Sequence, residues 1–126
     1  MSNVLLGQEG EEIANNYLKK KGYIIKERNF KRKWGEIDIV AFDKKTKEWV
    51  FVEVKTRKMD NFNKIQPEEE LTPEKIKKLK KIILSYLSLK GLEQSKWRFD
   101  FIGIEIENDK TLPKIRHYQS EFLEYD

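Results

Sequence analysis

Three charged residues interrupt two apolar segments in the first half of the chain. Asp38 lies within residues 36–42 (EIDIVAF), and Glu53 and Lys55 lie within residues 49–55 (WVFVEVK). Both segments are rich in β-branched and aromatic residues, and a charged turn separates them, which predicts two strands of a hairpin. Because buried strands normally carry apolar side chains there, we interpret Asp38, Glu53 and Lys55 as candidate functional residues.

The length of the turn predicts which side chains face each other. A symmetric loop over residues 43–48 pairs Phe42 with Trp49, Val40 with Phe51, Asp38 with Glu53, and Glu36 with Lys55. Opposed carboxylates are destabilising unless a cation lies between them, and Mg²⁺ takes oxygen ligands of this kind. The pattern therefore predicts a divalent-metal site at Asp38 and Glu53.

Alternation along each strand predicts the two faces of this hairpin. One face of the first strand is expected to carry Ile37, Ile39 and Ala41, and the other to carry Glu36, Asp38 and Val40. On the second strand Glu53 and Lys55 share a face with Trp49 and Phe51.

The order Asp38, fourteen intervening residues, then Glu53-Val54-Lys55 resembles the D…E-x-K signature of restriction-endonuclease-like nucleases. Within GEIDIVAF…VFVEVKTR it resembles the YraN-like family of Holliday-junction-resolvase-like predicted nucleases. The flanking segments GQEGEEIA, KKGYIIKERNF, LTPEK and RFDFIGI also match, so the resemblance covers nearly the whole chain. The acidic segment 58–70 and the tail beyond Ile115 match less closely.

This resemblance implies an activity and a set of roles. It implies hydrolysis of DNA phosphodiester bonds with Mg²⁺, or Mn²⁺, held by Asp38 and Glu53. Glu11 matches the glutamate of the family's G-x-x-G-E and is a third candidate ligand, with Glu9 and Glu12 as rivals. Lys55 would position the attacking water or stabilise charge in the transition state. Glu36 is an additional ligand or a partner of Lys55.

The remaining elements follow from periodicity and from helix-ending residues. Helices are predicted over residues 3–21, ending at Gly22, and from Thr72 and Pro73 to Gly91. Further strands are predicted over residues 23–27, 97–106 and 114–118, the last as a possible edge strand. At Gly103 a shift in alternation indicates a bulge or a close approach. Residues 56–70 are predicted to form a loop at the mouth of the site. The resulting α-β-β-β-α-β order is an α/β fold with a mixed sheet flanked by helices, and it is the core order of the restriction-endonuclease-like fold that the resemblance implies.

Basic residues near the candidate site are interpreted as contacts to the DNA backbone. They fall in the segment 28–34, in the predicted loop and on the polar face of the second helix: Arg28, Lys31, Lys33, Arg57, Lys75 and Lys78. The DNA is expected to be branched or damaged, and the choice among a junction, a flap, a nick and a single strand stays open. A junction with two scissile strands favours a homodimer, to which the final strand and Phe122 and Tyr125 are candidate contributors, whereas a trimming nuclease works as a monomer.

Composition limits the alternatives. The 126 residues indicate one domain over 1–126, and the absence of Cys excludes disulfides and thiolate metal sites. A single histidine, His117, excludes a His-cluster zinc site. The net charge of +4 is compatible with binding a polyanion. The sequence contains no apolar run of membrane-spanning length and no signal-peptide core, so we expect a cytoplasmic protein.

Two other interpretations remain. The domain is either a nuclease or a non-catalytic nucleic-acid-binding module whose carboxylates form structural ion pairs, such as Glu36 with Lys55. A sheet protein with a chance E-x-K is the third reading. The sequence does not decide whether Asp100 is structural or supports the site, and His117 is interpreted as structural.

Overall fold

The structure is a computed structural model, and it describes residues 3–58, 70–107 and 112–120. Within these described residues, the helices and strands follow one another in the order α-β-β-β-α-β-β. The elements are α1 (Asn3–Lys20), β1 (Tyr23–Arg32), β2 (Gly35–Asp43), β3 (Glu48–Lys58), α2 (Pro73–Leu89), β4 (Trp97–Ile106) and β5 (Lys114–Tyr118). The predicted order is therefore confirmed, and β5 is the short final strand predicted over residues 114–118.

The five strands form one mixed sheet in the order β1-β2-β3-β4-β5. Neighbours pair antiparallel except β3 and β4, which are parallel and connected through α2. The sheet is the α/β arrangement that the sequence predicted, and it is consistent with a restriction-endonuclease-like core.

Side-chain alternation along the central strands gives the sheet two apolar faces. Phe51 packs in a cluster with the apolar stripe of α2, whereas its neighbours Val50 and Val52 pack in a second cluster with Ala14 and Leu18 of α1. The two helices therefore cover opposite faces. Each fully buried aromatic or aliphatic side chain contributes about 1.5–3 kcal/mol to the free energy of unfolding. Both clusters therefore help to hold the strands in place.

The helix ends agree with the sequence. Thr72 accepts a hydrogen bond from the Lys75 backbone N–H at 3.2 Å, and Pro73 is the first helical residue of α2. Gly22 and Gly91 follow α1 and α2 with φ angles of 93° and 68°, the left-handed conformation that ends helices.

The predicted limits of three strands are wrong. β1 continues to Arg32, so Arg28 and Lys31 lie on an edge strand and not in a loop. Its register shifts between Ile25 and Glu27, which places a bulge at Lys26. No bulge occurs at Gly103, because the β3–β4 register runs unbroken through the pair Lys55–Gly103. β4 is buried on both faces, which explains why it lacks clear alternation.

The predicted loop over residues 56–70 is replaced in part by strand, since Thr56, Arg57 and Lys58 extend β3. Glu70, the last residue of that prediction, is helical. Residues 59–69 lie outside the described residues, as do Phe122 and Tyr125 of the predicted dimer contact. Neither helix in the described part of the chain is long and apolar enough to cross a membrane.

Candidate active site

The candidate site forms where β2 and β3 separate. The predicted pairs Phe42–Trp49 and Val40–Phe51 are confirmed, and the ladder ends at Ile39–Val52. The predicted pairs Asp38–Glu53 and Glu36–Lys55 are not part of it. Instead, Asp38 Oδ2 accepts a hydrogen bond of 2.7 Å from the backbone N–H of Val54. The aspartate of β2 is thus joined to the middle residue of Glu53-Val54-Lys55.

Alternation breaks at the level of Asp38. Ile37 packs in the α2-side cluster, whereas Ile39 and Ala41 pack in the α1-side cluster, so the prediction that these three share one face is wrong. On β1, Asn29 lies between the residues that pair with Ile39 and Ile37, and it has a left-handed φ of 54°. The left-handed residue of β1 therefore lies at the level of Asp38, where alternation along β2 breaks and the carboxylate reaches Val54 of β3.

The environment of Asp38 resists ionisation. The residue is 8% exposed, and burial raises the pKa of its carboxyl to about 7. The hydrogen bond from Val54 lowers this pKa, but the charges of Glu53, Glu11 and Glu36 raise it further. A buried carboxyl surrounded by three other carboxylates is a place where positive charge is favourable.

Glu11 reaches this cluster because α1 lies unusually close to β3. A Cβ atom at Gly10 would overlap the side chain of Thr56, lying 2.8 Å from its Cβ and Cγ2 atoms. Only glycine permits that approach. Burial raises the pKa of Glu11, and Glu36 adds to the rise, while Arg28, a hydrogen bond with Asn29, and Lys31 lower it. Of the three candidate glutamates, Glu11 is the one that acts on the pKa of Asp38.

Glu53 and Lys55 point to the α2 side of β3, and each has an ion-pair partner. Lys75 Nζ lies 2.7 Å from Glu53 Oε2, whose side chain is only 14% exposed. Lys55 Nζ lies 3.9 Å from a carboxylate oxygen of Glu70, and the Arg57 guanidinium lies 3.7 Å from the other oxygen. The site therefore holds its acids and bases in pairs.

The residues predicted to contact DNA lie around this cluster. Lys75 contacts Glu53, and Lys78 lines the same cavity. Arg28 forms a 3.0 Å ion pair with Glu12, and Lys31 lies 3.9 Å from Glu36. Glu36, a predicted partner of Lys55, is thus placed beside Lys31 instead. Lys33 is exposed at the β1–β2 turn.

The donor set matches a hard cation in chemistry. Carboxylates and a backbone carbonyl are oxygen ligands, and Mg²⁺ often takes only one or two carboxylates, with waters and phosphate oxygens completing its shell. Asp38 and Glu53 supply two such carboxylates. They also interact, since the charge of Glu53 raises the pKa of Asp38. Within the described residues, no group of three or more Asp, Glu or His side chains is arranged to hold a metal ion. The fit therefore rests on two carboxylates, with the Lys75 ammonium as the present counterion of Glu53.

A separate network around Arg98 uses none of these residues. Arg98 is 4% exposed and donates to Asp100, Asp43, Glu48 and the Tyr23 hydroxyl at 2.7–3.3 Å. Asp100 is fully buried and also bonds the ring of His117, at 2.8 Å, and the backbone N–H of Ser120. These contacts tie β5 to β4. Asp100 and His117 are thus placed in a structural network.

Sequence reasoning missed three contributors to the site. Asn29 forms a hydrogen bond with Glu11, Gly10 permits the close approach of α1, and Glu70 is the partner of Lys55. Gly10 stands directly before Glu11, so a glycine inside a helical pattern was the one available signal. Nothing local in the sequence indicates the roles of Asn29 and Glu70.

These features define an α/β protein whose mixed sheet carries a D…E-x-K set of charged residues where two strands separate. The chain belongs to the family described as "Uncharacterised protein family UPF0102", and the match covers residues 10–104. This is the YraN-like family to which the motifs pointed.

Relatives over almost the full length support this membership. A UPF0102 protein of Thermodesulfovibrio yellowstonii is 44% identical over 98% of this chain and 100% of its own. One of Syntrophomonas wolfei is 44% identical over 93% of this chain and 96% of its own. One of Geotalea uraniireducens is 42% identical over 95% of this chain and 91% of its own.

Proposed function

We propose that this protein is a Mg²⁺-dependent endonuclease of the restriction-endonuclease-like superfamily that hydrolyses phosphodiester bonds in branched or damaged DNA. The observation that carries the proposal is the 2.7 Å hydrogen bond from Val54 N–H to Asp38. It joins the aspartate of β2 to the E-x-K segment of β3 at a point where two strands separate. Burial and the charges of Glu53, Glu11 and Glu36 oppose ionisation of Asp38, so a cation bound beside it would be favourable.

The roles of the residues follow from their positions. Asp38 and Glu53, with Glu11 and the Val54 carbonyl as further oxygen donors, would hold Mg²⁺ or Mn²⁺. When bound, the metal supplies Lewis-acid polarisation of the phosphate and lowers the pKa of water. The buried Asp38 carboxyl is held in one orientation by the Val54 N–H. An oriented, desolvated carboxylate acts more strongly than a solvated one.

Lys55 is placed to act on the phosphate. Its side chain is half-exposed and faces the same side of the sheet as Glu53, and its present partner, Glu70, is 3.9 Å away. A DNA phosphate is an alternative anion for Lys55 and Arg57, because its two non-bridging oxygens can accept hydrogen bonds from both cations. Once freed from Glu70, Lys55 would orient the attacking water or stabilise negative charge that develops on the phosphate.

DNA would approach over the basic side of the site. The β1–β2 turn contributes Lys31 and Lys33, and α2 contributes Lys75 and Lys78. These cations would contact backbone phosphates without reading sequence. We place the activity in the cytoplasm. Paired cleavage of a four-way junction requires two copies of one site, so a homodimer accompanies that substrate.

A second candidate function is a non-catalytic nucleic-acid-binding module. The observation in its favour is that Glu53 and Lys55 already have ion-pair partners, Lys75 and Glu70. In such a module these pairs would be structural, and the basic surface alone would bind nucleic acid.

A cleavage panel separates the two functions. Four-way junction, flap, nicked, single-stranded and linear duplex DNAs are incubated with the wild-type chain in Mg²⁺, Mn²⁺ and EDTA. The proposal expects metal-dependent cleavage of at least one DNA, reduced at least about 100-fold in Asp38→Asn and Glu53→Gln. Glu74→Gln, on the exposed first turn of α2, is the matched carboxylate control and should cleave normally.

The same panel identifies the outcomes that contradict the proposal. No cleavage of any DNA, together with DNA binding that is unchanged by the metal and by Asp38→Asn, would refute the nuclease and support the binding module. Symmetric cuts in both strands of the junction would support the homodimer, and cuts confined to flaps or single strands would refute it.

A further inference from the structure

A cavity of about 270 Å³ opens beside the candidate site, between the β1–β2 turn and α2. Two buried residues of α2, Leu79 and Ile82, contribute apolar surface, and Trp34 at the turn contributes an indole ring. Glu53 and Lys75, the 2.7 Å ion pair of the site, also line it. The cavity is therefore continuous with the residues assigned to chemistry.

Trp34 is unusually placed for a tryptophan. It is 38% exposed, although burying an indole is one of the larger gains a side chain offers. The ammonium of Lys81 lies 4.5 Å from the centre of its ring, a cation–π contact that holds the indole in place. An aromatic ring held by a cation and left partly open is a platform on which another flat ring can stack.

The chemistry of the cavity selects its occupant. An apolar cavity of about 150 Å³ is known to bind a benzene ring, so this one has room for a nucleobase. Lys75 and Lys78 line it together with Glu36 and Glu53, which lie within ion-pair distance of Lys31 and Lys75. The two lysines can contact the phosphates on either side of such a base. A nucleotide has this combination of a flat apolar ring and attached anionic groups. Its base can enter the cavity only when the base is unpaired.

We infer that this cavity binds one unpaired nucleobase of the DNA substrate, stacked on Trp34, with the flanking phosphates on Lys75 and Lys78. The inference rests on the proposed function and specifies its substrate class: DNA with an unpaired nucleotide next to the scissile bond. Stacking of one base on an aromatic side chain is worth a factor of about five to 100 in affinity.

The test compares two DNAs that differ in one nucleotide. A duplex and the same duplex with a single unpaired 2-aminopurine are titrated with the full-length chain in EDTA, followed by anisotropy and 2-aminopurine fluorescence. We expect wild type to prefer the unpaired DNA by at least about fivefold, with quenched fluorescence. Trp34→Ala should lose both effects and retain its affinity for the duplex, and Trp34→Phe should keep part of the preference.

Leu84→Ala is the matched control, because Leu84 is an exposed apolar residue of α2 (55%) that does not line the cavity. An unchanged preference in Trp34→Ala would overturn the inference and leave the proposed function standing. A wild-type chain that binds both DNAs equally would do the same. Failure to bind either DNA, in EDTA or with Ca²⁺, would refute the proposed function and the inference together.

Discussion

Replacing Asp38 by asparagine is expected to stabilise the metal-free protein at alkaline pH. Burial raises the pKa of the Asp38 carboxyl from 3.8 to about 7, so the folded chain keeps a proton that the unfolded chain has released. Between these two pH values the folded state binds more protons, and stability falls as pH rises. Above pH 7 the full cost of ionising Asp38 is present, and asparagine avoids it.

The size of the effect follows from the shift. About three pKa units at about 1.4 kcal/mol each give an upper limit of about 4 kcal/mol at pH 8. The asparagine side chain of the Asp38→Asn variant retains an oxygen that can accept the hydrogen bond from Val54, so the variant need not lose this contact. For a domain of this size, a gain of that order raises Tm by roughly 10 °C. At pH 4 the two proteins should differ little.

The assay is thermal unfolding in EDTA from pH 4 to pH 9. The matched control is Asp43→Asn, on the same strand, where burial is outweighed by hydrogen bonds from Lys45 and Arg98 that hold the pKa of Asp43 below its usual value. That variant should be destabilised above pH 4, the opposite sign. Saturating Mg²⁺ at pH 8 should raise the Tm of wild type and leave that of Asp38→Asn unchanged.

Equal Tm losses for Asp38→Asn at pH 4 and pH 8 would refute this reasoning. Such a result would mean that the carboxylate stabilises the fold and that the neighbouring glutamates do not act on it. A higher Tm of Asp38→Asn at pH 8, without any response of the wild type to Mg²⁺, would support the electrostatic reasoning and contradict the proposed metal site.

Two further predictions concern how the site is built and how it meets DNA. Gly10→Ala should destabilise the protein by about 1–3 kcal/mol in urea unfolding, because the new methyl overlaps Thr56, whereas Gly7→Ala, with open space at the same helix, should be neutral or stabilising. Equal effects would show that α1 is not held against β3. Lys78→Ala should lower the slope of log K against log salt for duplex DNA by about one unit, and Lys19→Ala, in the last turn of α1, should leave it unchanged.

The hairpin was predictable from sequence because its information is local. Apolar and β-branched residues mark both strands, and a symmetric turn fixes the register, although the turn is residues 44–47 and the ladder already begins at Asp43–Glu48. The limits of β1 were not predictable in this way. Its second half lies at the edge of the sheet, where most side chains are exposed and only Phe30 is buried, so strand and charged loop look alike in the sequence.

The orientation of Asp38 could not be predicted from local sequence for a different reason. Alternation of side chains along each strand predicted that Asp38 and Glu53 face each other across the ladder, and this prediction assumes that the alternation is unbroken. The assumption fails at Asp38, whose carboxylate accepts a hydrogen bond from Val54 N–H beside the left-handed Asn29 of the neighbouring strand. The hydrogen bond joins residues distant in sequence. Alternation therefore selected Asp38 and Glu53 as candidate residues but gave the wrong orientation for Asp38.

The ion pairs of the site also change what its positive charges can contribute to DNA binding. Lys75 contacts Glu53 at 2.7 Å, and Lys55 shares Glu70 with Arg57, so each must exchange a carboxylate for a phosphate. Such an exchange releases fewer counterions than binding by a solvated lysine. A count of basic residues thus overestimates the affinity for DNA. The exchange favours DNA whose phosphates reach Lys55, Arg57 and Lys75 at the same time. Selectivity for a particular DNA shape would then come from the cost of breaking these pairs, since a poorly placed phosphate leaves a carboxylate unpaired.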